Sequence, residues 1–234
     1  MEKIWRLIID GAREPEVNMA IDEAIMVRMA EAPTAPTLRI YRWLGPCISI
    51  GKFQCHDGAL LSRNSIPIVR RPTGGGSVFH DERGLTYSLV YREDSGAVPK
   101  GAAASYRHIH EGVAAALREL DVEAELHPPV ARPVPSRVFC ACFDSPVESD
   151  VVSAGKKIAG AAQRRRFGVV LHEGEIGLPL DVWRKYSYNM ALNAFIDSLS
   201  KQLQARFLEG QVSEEENCLA KELLMGRIPE EVTK

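Results

Sequence analysis

Arg70-Arg71-Pro72-Thr73-Gly74-Gly75-Gly76-Ser77-Val78-Phe79-His80-Asp81-Glu82-Arg83-Gly84-Leu85-Thr86-Tyr87-Ser88 joins two apolar runs at the centre of the chain's organisation. Residues 66–69 (Ile-Pro-Ile-Val) read as a buried strand, and residues 85–91 as a second. Three successive glycines let the backbone take φ > 0 and approach another group with no Cβ between them. Successive N–H groups in such a turn can form a concave anion site, with Arg70 and Arg71 adding positive charge beside it. A glycine-rich hairpin with solvated arginines accounts for the same letters, so the residues alone leave both readings open.

At 234 residues the chain suits one sizeable domain, with 45% hydrophobic and 26% charged residues and a net charge of −2. That balance offers no basic footprint for nucleic acid and no polybasic membrane patch. No 18-residue apolar run is present, and Met1-Glu2-Lys3-Ile4-Trp5-Arg6 lacks the order of a signal peptide. The five cysteines (47, 55, 140, 142 and 218) form an odd set without zinc-type spacing, which fits free thiols in a cytoplasm.

Outward from the glycine stretch, residues 4–10 read as a first strand and 16–30 as a helix. Residues 37–43 and 47–51 read as strands, and 56–64 as a short helix. Residues 105–120 form an amphipathic helix with Ile109, Val113, Leu117 and Leu120 on one stripe. His108 and His110 within it face different ways and read as surface or cap residues. A Pro-rich stretch, 127–136, leads to strands at 151–152 and 169–175 separated by a turn region at 155–160. Residues 189–208 and 214–225 read as helices.

Arg-Arg-Pro-Thr-Gly-Gly-Gly-x-Val-Phe-His-Asp resembles the signature loop of the lipoate-protein ligase and octanoyltransferase family, whose catalytic fold is shared with biotin-protein ligases. Residues 18–24 (Asn-Met-Ala-Ile-Asp-Glu-Ala), 38–43 (Leu-Arg-Ile-Tyr-Arg-Trp) and 48–54 (Ile-Ser-Ile-Gly-Lys-Phe-Gln) are similar to the family's N-terminal blocks, in the right order and spacing. The resemblance implies an α/β (α+β) fold, a mixed β-sheet flanked by helices. It implies a catalytic domain over residues 1–210 and a helical tail over 211–234.

By that resemblance Arg70, Arg71, Thr73, Gly74, Gly75, Gly76, Ser77, Val78 and His80 wrap the acyl group. Residues 150–163 are similar to the family's Gly-[Arg/Lys]-Lys-[Ile/Val]-x-Gly-x-Ala segment, which implies that Lys157 contacts the acyl carbonyl. An ammonium there would stabilise an oxyanion. Lys156 reads as a solvated turn residue. Gly160, Ala161 and Ala162 are small enough to leave room for an aliphatic chain, although small residues equally serve close packing. His172 is expected as a wall or positioning residue; Glu173 departs from the family's usual His and carries no expected role.

Cys142, between aromatic residues, reads by itself as an inert packed thiol as readily as a nucleophile. Its Cys-Phe-Asp-x-Pro context resembles the cysteine-dependent octanoyltransferase branch, which implies a thioester on Cys142. Cys140 is one residue out of that register. The implied activity is octanoyl transfer from acyl carrier protein to a lysine of a lipoyl domain or the glycine-cleavage H protein, needing neither metal nor nucleotide. The alternative is a lipoate-protein ligase using lipoate, ATP and Mg2+. The triple glycine and the run Arg164-Arg165-Arg166 favour the ligase, although such a run is usually a solvated face. Ser149, where the ligases usually have Asn, speaks against it. A non-catalytic binding member and a biotin ligase are weaker readings. No nucleic-acid or membrane partner is expected, and the chain is taken as a cytoplasmic monomer.

Overall fold

A computed structural model describes residues 3–32, 34–54, 66–129, 143 and 145–226 of the chain. Its main sheet runs in the order β11-β1-β2-β6-β10-β9-β8-β7. The strands are β1 (Lys3–Arg13), β2 (Thr37–Trp43), β6 (Gly84–Arg92), β7 (Glu125–Leu126), β8 (Val151–Ser153), β9 (Lys156–Arg166), β10 (Val169–Gly177) and β11 (Ala205–Glu209). β1 is parallel to both β11 and β2; the remaining pairs are antiparallel, so the sheet is mixed, as expected. A second sheet, β4-β3-β5, comprises β3 (Cys47–Ile50), β4 (Ile68–Arg70) and β5 (Val78–His80) and carries the glycine stretch between β4 and β5.

Strand alternation sends side chains to opposite faces, and each face of the main sheet takes a helical layer. Leu85, Tyr87, Leu89 and Tyr91 of β6 share one core with α2 (Ala102–Glu119), α3 (Leu180–Lys185) and α4 (Tyr188–Leu203). Val90, Val169 and Leu171 face the other way, into a core with α1 (Pro15–Glu31) and α5 (Glu214–Leu224). The Arg6 guanidinium forks onto the Glu216 carboxylate (2.6 and 2.9 Å), tying α5 to β1. Among the described residues no helix is long and apolar enough to cross a membrane.

Four sequence expectations give way. Residues 155–160 are a turn only at Ala154–Gly155; from Lys156 the chain runs as β9. Its Gly, Ala and Arg residues have weak strand preference, and pairing with β10 along its length overrides it. The helix expected over 189–208 ends at Leu203, where Gln204 takes a left-handed φ of 50°, and Ala205–Glu209 becomes the parallel edge strand β11. With Gln in place of Gly at that bend, the sequence carries no stop signal. His110 is fully buried rather than a surface or cap residue. Arg164 and Arg165 are not solvated: they pair with Glu23 (2.6 Å) and Glu93 (2.5 Å). The helix expected at 56–64, most of the Pro-rich stretch, Cys55, Cys140 and Cys142 lie outside the described residues.

Candidate active site

The glycine loop folds back on β3. Arg71 donates to Ser49 O and Oγ (2.9 and 2.8 Å) with one arm, and to the Gly74 and Gly76 carbonyls (2.9 and 2.8 Å) with the other. Arg70 donates to the carbonyls of Gly51, Lys52 and Gln54 (2.9, 3.0 and 2.9 Å). Both guanidinium groups therefore shape the loop. Of its three glycines only Gly75 takes a positive φ, +89°. Gly51 sits so close beneath that a Cβ there would lie 2.1 Å from Gly75 O.

Beneath the loop lies a narrow inner chamber on the α1 face of the sheet. Its floor follows the sheet register: Gly160 and Ala162 of β9 pair with Glu175 and Glu173 of β10, and Glu175 with Thr86 of β6. Met19, Tyr41 and Trp43 close the far end, while Arg71, Val78 and His80 form the roof side. A second, more open outer chamber adjoins it, sharing Ala161 and Ala162 and lined also by Gly74, Gly75, Tyr106 and Ser149. It opens where β8 stops pairing with β9, beyond Ala159.

Lys157 lies across Gly160, which lines the inner chamber: a Cβ on Gly160 would fall 2.2 Å from Lys157 Cε and 2.5 Å from Nζ. Glycine at 160 is thus the passage for the lysine, while Ala162 touches the Gly75 side of the loop. The ammonium pairs with Asp150 Oδ2 at 2.8 Å, both side chains almost wholly buried. Asp150 is itself fixed by Tyr106 Oη (2.6 Å) and the Val147 N–H (2.7 Å). The Phe143 ring, 5.6 Å from Lys157 Nζ, lines the inner chamber. Lys156 is exposed, as expected.

His172 faces the α2 side of the sheet, not the chamber, and its Nδ1 accepts from Gln163 at 3.0 Å. His110 donates from Nδ1 to Ser149 O at 2.7 Å. Burial holds both imidazoles neutral, pushing His110 down to about 4 and His172 well below the ordinary value. They support Tyr106 from behind, with ring centroids 4.1 and 5.6 Å from it. His80 bonds Ser49 Oγ through Nε2 (2.6 Å), stacks on Trp43 and lies 3.1 Å from Glu175, which makes it a loop-positioning residue in geometry. Thr73 and Ser77 are buried beside the loop.

Glu173, with no role expected from its letters, is brought to the site by the fold. It is 5% exposed, accepts from Thr73 Oγ1 at 2.5 Å, and lines the inner chamber. Burial, with Asp22 nearby, raises its carboxyl to about 8. The native state then holds a proton that the unfolded chain, at its ordinary 4.5, releases, so this carboxyl lowers stability as pH rises from about 4.5 to about 8. Glu173→Gln should therefore melt progressively higher than wild type from pH 5 to pH 8, the gap growing by up to about 1.4 kcal/mol per pH unit and then levelling. Thermal melts across that range check it; a constant gap would contradict it.

Among the described residues the free cysteines are Cys47 and Cys218. Burial and then Glu175 and Glu16 push the Cys47 thiol up to about 12, and Cys218 is exposed on α5, away from the chambers. Neither is placed to be a nucleophile. Cys142 is outside the described residues, although its chain neighbour Phe143 lines the chamber.

Comparison with known proteins agrees with this architecture. The chain is 42% identical over 188 residues to octanoyltransferase LipM of Kyrpidia tusciae, covering 76% of this chain and 67% of that protein. Its fold superposes on Ta0514 of T. acidophilum with bound lipoic acid (TM-score 0.77, 27% identity, 97% and 95% of the two chains). It superposes equally on a lipoate-protein ligase A bound with ATP (TM-score 0.77, 28% identity, 100% and 99%). Residues 14–214 match the lipoyl protein ligase A/B catalytic domain, and the chain belongs to that family.

Proposed function

We infer that this chain is an octanoyltransferase, which moves an octanoyl group from an acyl carrier protein thioester to the ε-amine of a lysine on a lipoyl domain or the glycine-cleavage H protein. The observation that carries the reading is the buried Lys157 ammonium packed against Gly160, a residue that lines the inner chamber. The donor's thioester arm occupies the outer chamber and the aliphatic tail the inner one. Cys142 thiolate attacks the donor carbonyl, Lys157 stabilises the oxyanion, and the carrier thiolate leaves. The acceptor amine then attacks the Cys142 thioester; the amide forms, the Cys142 thiolate leaves, and the amine's proton passes to solvent. Neither step uses a metal or a nucleotide. We place this chemistry within residues 1–210, with 211–234 as a tail.

The second reading, an ATP-dependent lipoate ligase, rests on the ATP-bound structural relative. Arg164 and Arg165 of the run it could use are engaged with Glu23 and Glu93. A transfer assay separates the two. Octanoyl-carrier protein plus a lipoyl domain, without nucleotide, should yield the octanoylated domain; product only from lipoate with Mg-ATP would overturn the transferase reading.

A further inference from the structure

The glycine loop and its three-stranded sheet roof the inner chamber, yet among the described residues no strand of that sheet pairs with the main sheet below. The height of the roof over the floor therefore rests on side chains. Strand alternation puts Glu173 and Glu175 of β10 on the chamber side and Gly174 on the other. Gly174 lies flat against Tyr87, where a Cβ would fall 2.3 Å from the ring's Cζ, so β10 cannot sink away from the roof. The residues paired with the two glutamates are short: Ala162 and Gly160 on β9, Ser88 and Thr86 on β6. The glutamates are thus the tall groups on a low floor.

Both meet the roof. Thr73 Oγ1 donates to Glu173 Oε2 at 2.5 Å, and the Thr73 carbonyl accepts from the Lys52 N–H at 2.8 Å, so this buried residue is held from two sides. His80 lies 3.1 Å from Glu175 Oε2, which also accepts from Thr86 Oγ1 at 2.5 Å. Thr73 precedes the three glycines and His80 follows them, so the two contacts bracket the loop. Between them roof and floor already approach each other: a Cβ on Gly75 would stand 3.6 Å from Ala162 Cβ.

We propose that Glu173 is a positioning residue for acyl transfer, holding the glycine loop at a fixed height over the acyl chain through its bond to Thr73. The Glu175–His80 contact is the second support of the same roof. This rests on the acyltransferase reading above and adds a residue to it. Glu173 touches no reacting atom; its Oε2 is on Thr73 and its Oε1 is buried, so the carboxyl serves the roof and leaves an unbroken octanoyl tail its place in the chamber.

The test cuts the tie from either end. Thr73→Val removes the donor and Glu173→Leu the acceptor. Each should lower kcat for octanoyl transfer about tenfold or more, with KM for octanoyl-carrier protein within about threefold of wild type, the pattern of a misplaced rather than a lost contact. The double variant should fall no further than the worse single, because both changes break one bond. Thr73→Ser keeps the hydroxyl and should stay within about threefold of the wild-type rate. Losses that multiply in the double variant, or a Thr73→Ser variant as slow as Thr73→Val, would overturn the proposal. Should Glu173→Leu fail to fold, the comparison of valine with serine at 73 decides it. Hydrogen exchange read by mass spectrometry needs no turnover: peptides over residues 70–80 should exchange about tenfold faster in Thr73→Val than in wild type or Thr73→Ser, while those of β6 and β10 stay unchanged. Unaltered loop exchange would also overturn the proposal. Faster loop exchange in a chain whose wild type moves no octanoyl group from the carrier would uphold the tie and sink the transferase reading.

Discussion

Lys157→Met is expected to lower octanoyl transfer by about 10²–10³-fold, the loss seen when one donor to a developing oxyanion is removed. The variant should also be less stable. Asp150 is wholly buried, and without the ammonium its donors among the described residues are the Tyr106 hydroxyl and the Val147 N–H. Leaving one member of a buried pair uncompensated costs about 3–5 kcal/mol. The two effects separate in the double variant Lys157→Met with Asp150→Asn, which removes both charges and should regain most of the lost Tm. Its rate should remain at the Lys157→Met level. If the double variant recovers activity with stability, Lys157 is a packing cation with no part in the transfer. Melting curves and kcat/KM on the three proteins decide it.

Gly51→Ala should be the most damaging single-methyl change near the site. Its Cβ would meet Gly75 O at 2.1 Å, Gly74 C at 2.9 Å and Gly74 O at 3.0 Å, all backbone atoms that cannot swing aside. The loop must move, and with it the carbonyls that Arg71 holds. A displacement of about 1 Å at a reacting centre is worth on the order of 10²-fold in rate. Gly74→Ala, whose Cβ would meet nothing within 4 Å, should cost far less although it lies one residue from Gly75. Equal losses in the two variants would mean that the loop is not seated on Gly51. Far-ultraviolet circular dichroism on both variants shows whether the sheet survives.

The strands and helices with strong periodic signals were legible. The apolar stripe of Ile109, Val113 and Leu117 placed α2, and the alternation of residues 37–43 placed β2. The buried Arg39 was not legible as such, because its burial depends on Asp10, Asp22 and Asn18 arriving from β1 and α1. Residues 156–166 hid a central strand behind glycine, alanine and arginine, whose own preferences point elsewhere; only the nine-residue partner β10 reveals it.

The site divides the same way. Lys157 and the glycine loop were visible because their letters are unusual together; Lys157 lies against Gly160, which lines the same chamber as Arg71 and Val78. Gly160 was read as room for a chain, and its main duty is to let Lys157 cross. The Tyr106–Asp150 support, 44 residues apart in sequence, leaves no local trace. Glu173 was set aside because it departs from a pattern, yet burial raises its carboxyl to about 8 on the chamber floor, which no neighbouring letter announces.

The most direct test of the transfer mechanism is intact-protein mass spectrometry after incubation with octanoyl-carrier protein, in parallel with a sample given lipoate and Mg-ATP. The account predicts one thiol-labile octanoyl adduct, mapped to Cys142 and absent from Cys142→Ala, with nothing formed in the nucleotide sample. No adduct with the carrier donor, together with lipoyl-adenylate bound in the second sample, would contradict it and make the chain a ligase.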